Sequence, residues 1–563
     1  MCGIWTLINL NRKNINISKY FANFWSMKHR GPDNSSFETY EQVLVGFHRL
    51  AIMDISFRSN QPFICQDNLN TIVFICNGEI YNFRELIKEY NLPIHNNSDC
   101  MTIPQLYIKF RNNKNKFKDL FNLKIKGEFA FILLEFDVLK NLKYVCVGRD
   151  MIGIRPLYYN SEITNNLMIF SSEIKGTLNF PDKIKEYEPG IITEFKIDEF
   201  NDINKSIYNF QWIYNIKSIL HTTEEVLLQN LKIAVINSIR RRLSADRPIA
   251  FLLSGGVDSS LVSAISARIL NEPIKTFCCG MKEGTDLLYA KKVAEHIKSN
   301  HTEVLFTPEE GLQAIENVIW ATETWDTTTI RASVGQFLVS KYIGTKTDCK
   351  VVLVGEGPDE VCSSYLFNWY APDGNKLHMT ALNYVKELHL YDCRRGDRCV
   401  SYWGLEARVP FLDPEVINAY WEIKSELRHP KYKNIEKWWL RKAFDGMDLL
   451  PQEVLWRKKE AFSDGVSSKT KSWYEIIQSF CNKYIDDKNM KDCPSKEALY
   501  YKTLFIKFFT KKNIDIIPHY WQPKWLENGV EIDSNNYIDP SARVLNIYKK
   551  SKKSKVNNLD EIL

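Results

Sequence analysis

FLLSGGVDSS (residues 251–260) runs from an apolar, strand-like segment through two glycines into a stretch with helical spacing. Upstream, RPIAFLL is a short buried-strand candidate; downstream, SSLVSAISARIL repeats apolar residues at helical intervals. A loop between the carboxyl end of a strand and the start of a helix is where open parallel sheets bind ligands. Gly255 and Gly256 let the backbone approach an anion with no Cβ in the way. Exposed N–H groups and the helix dipole favour negative charge there, and Ser254, Ser259 and Ser260 add hydroxyl donors. The stretch is not a Walker loop, because no G-x-x-x-x-G-K-[ST] is present. Asp258 would repel a phosphate unless a divalent cation stood between them. By itself, the stretch also fits a serine–glycine turn that caps a helix.

Outward from it the alternation continues. PIKTFCC, DLLYAKKVAEHIK, EVLF and KVVLV (350–354) read as strand, helix, strand and strand, the pattern of a doubly wound parallel sheet. A second loop, VVLVGEGPDE (351–360), again leads from strand through glycines into a helix start, with Glu356, Asp359 and Glu360 clustered. In a parallel sheet both loops fall on one edge. Asp258 and Asp359 are therefore expected to share Mg²⁺ over the phosphates of ATP, while Glu360 reads as a surface acid. After about residue 400 the chain is helix-rich and heavy in tryptophan.

The first 200 or so residues differ in texture. VLVGFHRLAIMD, TIVFICNGEIYN, GEFAFILLEF and LMIFSSEIKG are β-type runs, interrupted by helical patterns near 17–28 and 82–90. That predicts an α+β layered domain. Residues 200–217 show no steady period and read as a crossover linker. The lysine-rich end YKKSKKSKVNNLDEIL reads as a solvated, disordered tail, with a localisation signal as the alternative.

Composition sets the outer bounds. The 563 residues are 44% hydrophobic, 25% charged and 13% aromatic, enough for sizeable cores. A net charge of +6 makes no case for nucleic acid or a membrane surface, and no run is long and apolar enough for a membrane helix. Thirteen cysteines without a repeated metal-type spacing read as reduced thiols in a cytoplasmic protein.

SGGVDSS resembles the pyrophosphatase-type loop of enzymes that transfer AMP from ATP to a carboxylate or carbonyl oxygen. With GEGPDE, RRGDRCVSYWGLEARVPFLD (394–413) and RKKEAFSDGV (457–466), it is similar to the synthetase half of the glutamine-hydrolysing asparagine synthetases. The likeness extends to PHYWQPKW and DPSAR near the C-terminus. It implies that the aspartate side-chain carboxylate attacks the α-phosphate, giving β-aspartyl-AMP and pyrophosphate, and that ammonia then displaces AMP. It assigns charge neutralisation to Mg²⁺ on Asp258 and Asp359 and to Lys459, Arg395 and Arg408, and proton management to Glu356. Leu253, Gly280 and Gly355 match backbone positions around the nucleotide. The family usually carries serine at Pro358, so one phosphate contact is in question.

The opening MCGIWTL gains its meaning here. HRGPD (29–33), HRLAIMD (48–54), NGEIYN (77–82) and SDC (98–100) resemble the glutaminase of class II amidotransferases in order and spacing. That implies an αββα N-terminal-nucleophile hydrolase fold in which Cys2 attacks glutamine once Met1 is removed, its α-amine relaying protons. By the same likeness Arg49 binds the glutamine α-carboxylate, Glu79 and Asp99 meet the α-ammonium, and Asn77 and Gly78 form the oxyanion hole. Met101 stands where the family often has an acid. The expected organisation is a glutaminase at 2–205, a synthetase at 206–545 and a tail at 546–563. Amino-sugar or phosphoribosylamine amidotransferases lack an SGGxDS half. A non-catalytic relative is expected to have lost Cys2, Asp258 or Glu356, all present here. ATP, Mg²⁺, glutamine and aspartate are the expected ligands; among macromolecular partners only a homodimer stays open.

Overall fold

In the computed structural model the strand-rich half of the chain forms two antiparallel sheets. The structure describes residues 1–10, 17–66, 70–93, 96–163, 166–198, 201–210, 222–458, 467, 472–486, 490, 493–532 and 537–540. Strands β1 (Gly3–Asn9), β2 (Asn34–Tyr40), β3 (Val43–Arg49), β4 (Phe63–Gln66), β5 (Asn70–Ile80) and β6 (Gly127–Asp137) come first. They are followed by β7 (Leu142–Arg149), β8 (Tyr158–Asn160), β9 (Leu167–Ser171), β10 (Ile184–Glu186), β11 (Ile191–Ile197) and β12 (Ile203–Asn209). The sheet orders are β10-β8-β9-β1-β3-β2 and β12-β11-β7-β6-β5-β4.

The sheets meet over Ile4, Ile8, Val45, Val73, Ile75, Ile132 and Val147. Their opposite faces are also buried. Trp5 packs on Phe24 of α1 (Ile17–Trp25), ring centroids 6.3 Å apart. On the other side α2 (Phe83–Tyr90), α3 (Thr102–Phe110) and α4 (Lys114–Leu123) cover β5 and β6, with Phe121 5.3 Å from Phe131. Burial on both faces explains why these strands read as continuous apolar runs instead of alternating ones. Helices α3 and α4 went unanticipated: TIPQLYIKF is rich in β-formers and α4 in lysine.

One boundary moves. The segment read as a linker contains β12, which pairs with β11 from Ile191↔Asn209 to Ile197↔Ile203. The first unit therefore continues past residue 205. As a largely exposed edge strand, β12 needs no apolar signature. The 546–563 tail lies outside the described residues.

The second unit opens with α5 (Glu224–Arg242), then alternates β13 (Ile249–Leu252), α6 (Val257–Leu270), β14 (Lys275–Gly280), α7 (Thr285–His296) and β15 (Asn300–Leu305). Helices α8 (Pro308–Thr322) and α9 (Thr327–Lys346) precede β16 (Val351–Leu353) and β17 (Glu406–Arg408). The sheet is parallel throughout, in the order β15-β14-β13-β16-β17. From β13 the chain winds outward to β15, then returns to place β16 on the other flank. The strand order reverses between β13 and β16, so a crevice opens between the two glycine loops. Among the described residues no helix is long and apolar enough to cross a membrane.

Buried ion pairs join the units. Arg30 reaches Asp397 at 2.8 Å, Arg242 reaches Glu128 at 2.9 Å, and Lys175 reaches Glu323 at 3.0 Å. Such pairs add little net stability over apolar packing, but losing one partner strands a buried charge. They fix how the units dock.

Candidate active sites

The two glycine loops touch backbone to backbone. A Cβ on Gly355 would lie 2.7 Å from the Ser259 nitrogen, so glycine is what lets the second loop close on the first. Gly255 turns with φ +72°, and a side chain there would strike Ala290 N at 2.5 Å. Ser254, Gly256, Asp258, Ser259, Gly355, Glu356, Asp359 and Arg395 line the resulting cleft. The expected Leu253, Gly255, Ser260 and Gly280 are not among its lining residues; Leu253 is buried and its N–H donates to the Phe277 carbonyl at 2.8 Å. Lys459 lies outside the described residues.

Lysine 437 occupies the position between the two aspartates. Its ammonium donates to Asp258 Oδ2 at 2.5 Å and to Asp359 Oδ1 at 2.6 Å. Burial opposes this charge, but the two carboxylates hold it well above the usual lysine range. Asp258 Oδ1 is buried with no hydrogen-bond partner among the described residues. Asp359 Oδ1 also accepts from the Ser364 hydroxyl at 2.6 Å. Two carboxylates with one orphaned oxygen fit a hard cation whose other ligands come from phosphate. Among the described residues no group of three or more His, Cys, Asp or Glu is arranged to hold a metal by itself.

Across the cleft Arg395, on the helix Asp392–Ser401, donates to Gln336 Oε1 at 2.6 Å, Glu356 Oε1 at 3.2 Å and Asp392 Oδ1 at 3.1 Å. Gln336 Nε2 returns to Glu356 at 2.8 Å. Burial pushes the Glu356 carboxyl up, while Arg395 pulls it back. Glu360 is not the surface acid expected: it is 2% exposed and accepts from the Tyr365 hydroxyl. Burial, then Asp392 and Asp359, push its carboxyl well above the usual range. Arg457 donates to Gly255 O at 3.1 Å and lies 4.0 Å over the Tyr289 ring. Lys437, Gln336 and Asp392 escaped sequence reading, because a lysine in EKWWLRK or a glutamine within a helix carries no spacing signal.

Two expectations need correction. Arg408 does not line this cleft. It is fully buried on β17, donates to the carbonyls of Arg242 and Ser244 at 2.9 and 2.7 Å, and pairs with Glu406 at 2.8 Å and Glu79 at 3.1 Å. An edge strand of this sheet faces the first unit, so its arginine serves the interface. Pro358 removes less than expected. It opens the short helix Pro358–Val361, where an N–H has no helical acceptor anyway, and lines a small apolar cavity with Leu231, Val416 and Leu440 away from the loops.

In the first unit Cys2 stands just before β1; its thiol lies 3.7 Å from Leu50 O and is pushed up to about 11 by burial. Arg30 of HRGPD donates to the Cys2 carbonyl at 2.8 Å and to Glu173 at 2.7 Å, a role the motif alone did not disclose. Met1 is buried against the second unit, its amino group 2.9 Å from Leu405 O. Arg49 Nη1 donates to Ser56 O and Asn60 Oδ1, both at 2.7 Å, and Nη2 to Asp54 O. Both polar side-chain atoms of Asn77 are buried with no hydrogen-bond partner among the described residues, which is uncommon for a buried amide. Gly78 permits strand pairing: a Cβ would sit 2.3 Å from Glu128 O. Asp99 accepts from Ile80 N at 2.6 Å, and burial pushes it up to about 6. Glu79 is engaged by Arg408. Met101 packs beside Cys65, sulfur to sulfur 3.9 Å, in the apolar layer.

Both units have relatives. Residues 1–223 match the glutamine amidotransferase domain family, and 230–383 with 370–531 match the asparagine synthase family. The chain is 37% identical over 588 residues to an asparagine synthetase [glutamine-hydrolyzing] of Gallus gallus, covering 98% of this chain and 99% of that one. It is 36% identical over 589 residues to the Homo sapiens protein of the same name, covering 98% of this chain and 100% of that one. On these matches, over folds and sites of the kind described above, the chain belongs to the family of glutamine-hydrolysing asparagine synthetases.

Proposed function

We propose that this chain makes asparagine from aspartate and ATP, using glutamine as the nitrogen donor. The observation that carries the reading is the crevice where the β13 and β16 loops meet, with Asp258 and Asp359 on one wall and Glu356 with Arg395 on the other. The first unit fits the αββα N-terminal-nucleophile hydrolase fold.

In the first unit the Cys2 sulfur attacks the glutamine amide carbon, ammonia leaves, and water hydrolyses the thioester to glutamate. Asn77 and the Gly78 N–H stabilise the oxyanion. Arg49 is already committed to the loop 54–60, so it offers the α-carboxylate only part of its fork. Asp99 takes the α-ammonium, with Glu79 bound to Arg408 behind it. The free α-amine needed as proton relay exists only once Met1 is gone.

In the second unit an aspartate β-carboxylate oxygen attacks the α-phosphorus and pyrophosphate departs. Ammonia then attacks the β-carbonyl carbon, AMP leaves with the bonding electrons, and Glu356 accepts the proton. Its raised affinity for protons suits that task. Ser254, Ser259 and Gly256 cradle phosphate, and Lys459 and Arg395 counter its charge. Asp258 and Asp359 would hold Mg²⁺, which would neutralise charge on the phosphates. Free thiols at all thirteen cysteines support a cytoplasmic setting.

The test is product identity. Incubation with ATP, Mg²⁺, aspartate and glutamine is expected to yield asparagine, AMP, pyrophosphate and glutamate in equal amounts. ADP in place of AMP, or glutamate without asparagine, overturns the proposal.

A further inference from the structure

We infer that Lys437 is a stand-in cation that keeps free divalent metal out of the Asp258–Asp359 pair, so that metal enters only with the nucleotide. The inference rests on the reading of those two aspartates as metal carboxylates and concerns what holds them beforehand.

The two carboxylates come from different loops and retain access to solvent, with side-chain exposures of 19% and 27%. Side by side they would repel each other and attract any cation. One ammonium, 2.5 and 2.6 Å away, bridges one oxygen of each. It is not a wandering surface lysine. Lys437 is 3% exposed and holds a left-handed backbone, φ 58° and ψ 27°, immediately before the helix Trp438–Phe444. A non-glycine residue fixed in that conformation is the kind of strain that concentrates at functional positions. Arg441 fastens the turn from both sides, its N–H donating to Lys437 O and its Nε to Glu436 O, at 3.0 and 2.9 Å.

A metal ion arriving alone must evict this ammonium, and among the described residues the cleft offers the ammonium no comparable acceptor. Glu356 and Asp392 are held by Arg395, Glu360 by Tyr365, and Asp286 lies 3.5 Å from Arg457. The metal would gain two carboxylates and no third protein acid among the described residues, too little to repay a buried charge left unpaired. A nucleotide changes both sides of the exchange. Its phosphate oxygens complete the metal's ligand set and give the displaced ammonium a new partner.

The experiment measures metal binding directly, by electron paramagnetic resonance of Mn²⁺ on the full chain without nucleotide. Wild type is expected to bind free Mn²⁺ weakly, and Lys437→Met at least about tenfold more tightly, since the ammonium that bridges the two carboxylates is gone. The gain should vanish in Lys437→Met/Asp258→Asn. Equal affinity of wild type and Lys437→Met for free Mn²⁺, with matching circular dichroism, overturns the inference. Should Lys437→Met fail to fold, wild type and the charge-keeping Lys437→Arg carry the test, and tight free-metal binding by either overturns it. Mn²⁺ binding with ATP present separates the two readings. Its loss in Asp258→Asn upholds the metal site whatever Lys437 does, whereas its persistence removes both.

Discussion

Arg408 Nη2 lies 3.1 Å from Glu79 Oε2, across the boundary between the two units. Glu79 follows the expected oxyanion-hole residues on β5. Arg408 lies on β17 opposite Leu353 of β16, the strand that runs into Gly355 and Glu356. One ion pair thus ties the glutamine site to the strand beneath the nucleotide loop. Arg408→Gln strands Glu79 and Glu406 without their partner, in full burial. It is expected to cost about 3–5 kcal/mol of stability and to depress both activities together. Chemical denaturation checks it; a loss below about 0.5 kcal/mol would show that the pair is ornamental.

Asp258→Asn is expected to abolish asparagine formation from either glutamine or ammonia while largely sparing glutaminase. The substitution keeps the shape but removes the charge facing the phosphates and half of the grip on Lys437. AMP release at a near-normal rate would refute the assignment.

These two residues mark what was legible in the sequence. Asp258 was picked out only by the two glycine loops together, since a serine–glycine turn at one strand–helix junction also fits a helix cap. The parallel sheet and both loops were readable for the same reason: local periodicity and local chemistry coincide there. Arg408 was assigned to the wrong partner. Its motif supplies several arginines, and only the sheet order decides which one faces the cleft. Lys437 was invisible, since its role exists only where a turn with left-handed backbone meets two loops distant in sequence. Edge strand β12 was missed because one-sided pairing demands no apolar pattern.

Pro358→Ser should leave ATP use unchanged. The ring lines a small apolar cavity with Leu231 and Leu440, and its missing N–H falls where a helix has no acceptor to offer. Lost packing and a freer unfolded chain should lower stability by about 1–2 kcal/mol. The discriminating measurement is KM for ATP beside the unfolding midpoint. A shifted KM at unchanged stability would place the proline in the phosphate site after all.

Cys2→Ala should eliminate glutamine hydrolysis and glutamine-dependent synthesis, while ammonia-dependent synthesis persists in the second unit. Blocking removal of Met1 should do nearly the same with the thiol intact, because the Cys2 nitrogen then stays an amide. Mass analysis of the N-terminus accompanies both assays. Full glutaminase activity in material shown to retain Met1 would sink the nucleophile mechanism.

Glutamine use should weaken as pH falls through about 6, the value to which burial pushes Asp99 from about 4. The acid must be ionised to hold an α-ammonium, so affinity is full above that value and lost below it. Stability runs the other way. A raised carboxyl binds its proton more readily when folded, so its ionisation penalty is absent below about 4 and complete above about 6. Glu406 favours its protonation and Arg408 opposes it, while Asp99 in turn helps push the buried Glu79 carboxyl up, so the profile belongs to the cluster. Asp99→Asn is expected to raise KM for glutamine at neutral pH and to flatten its acid limb, leaving ammonia-dependent synthesis untouched. If the acid limb of KM survives in Asp99→Asn, another group meets the ammonium, and Glu79, released from Arg408, is the one left within the site.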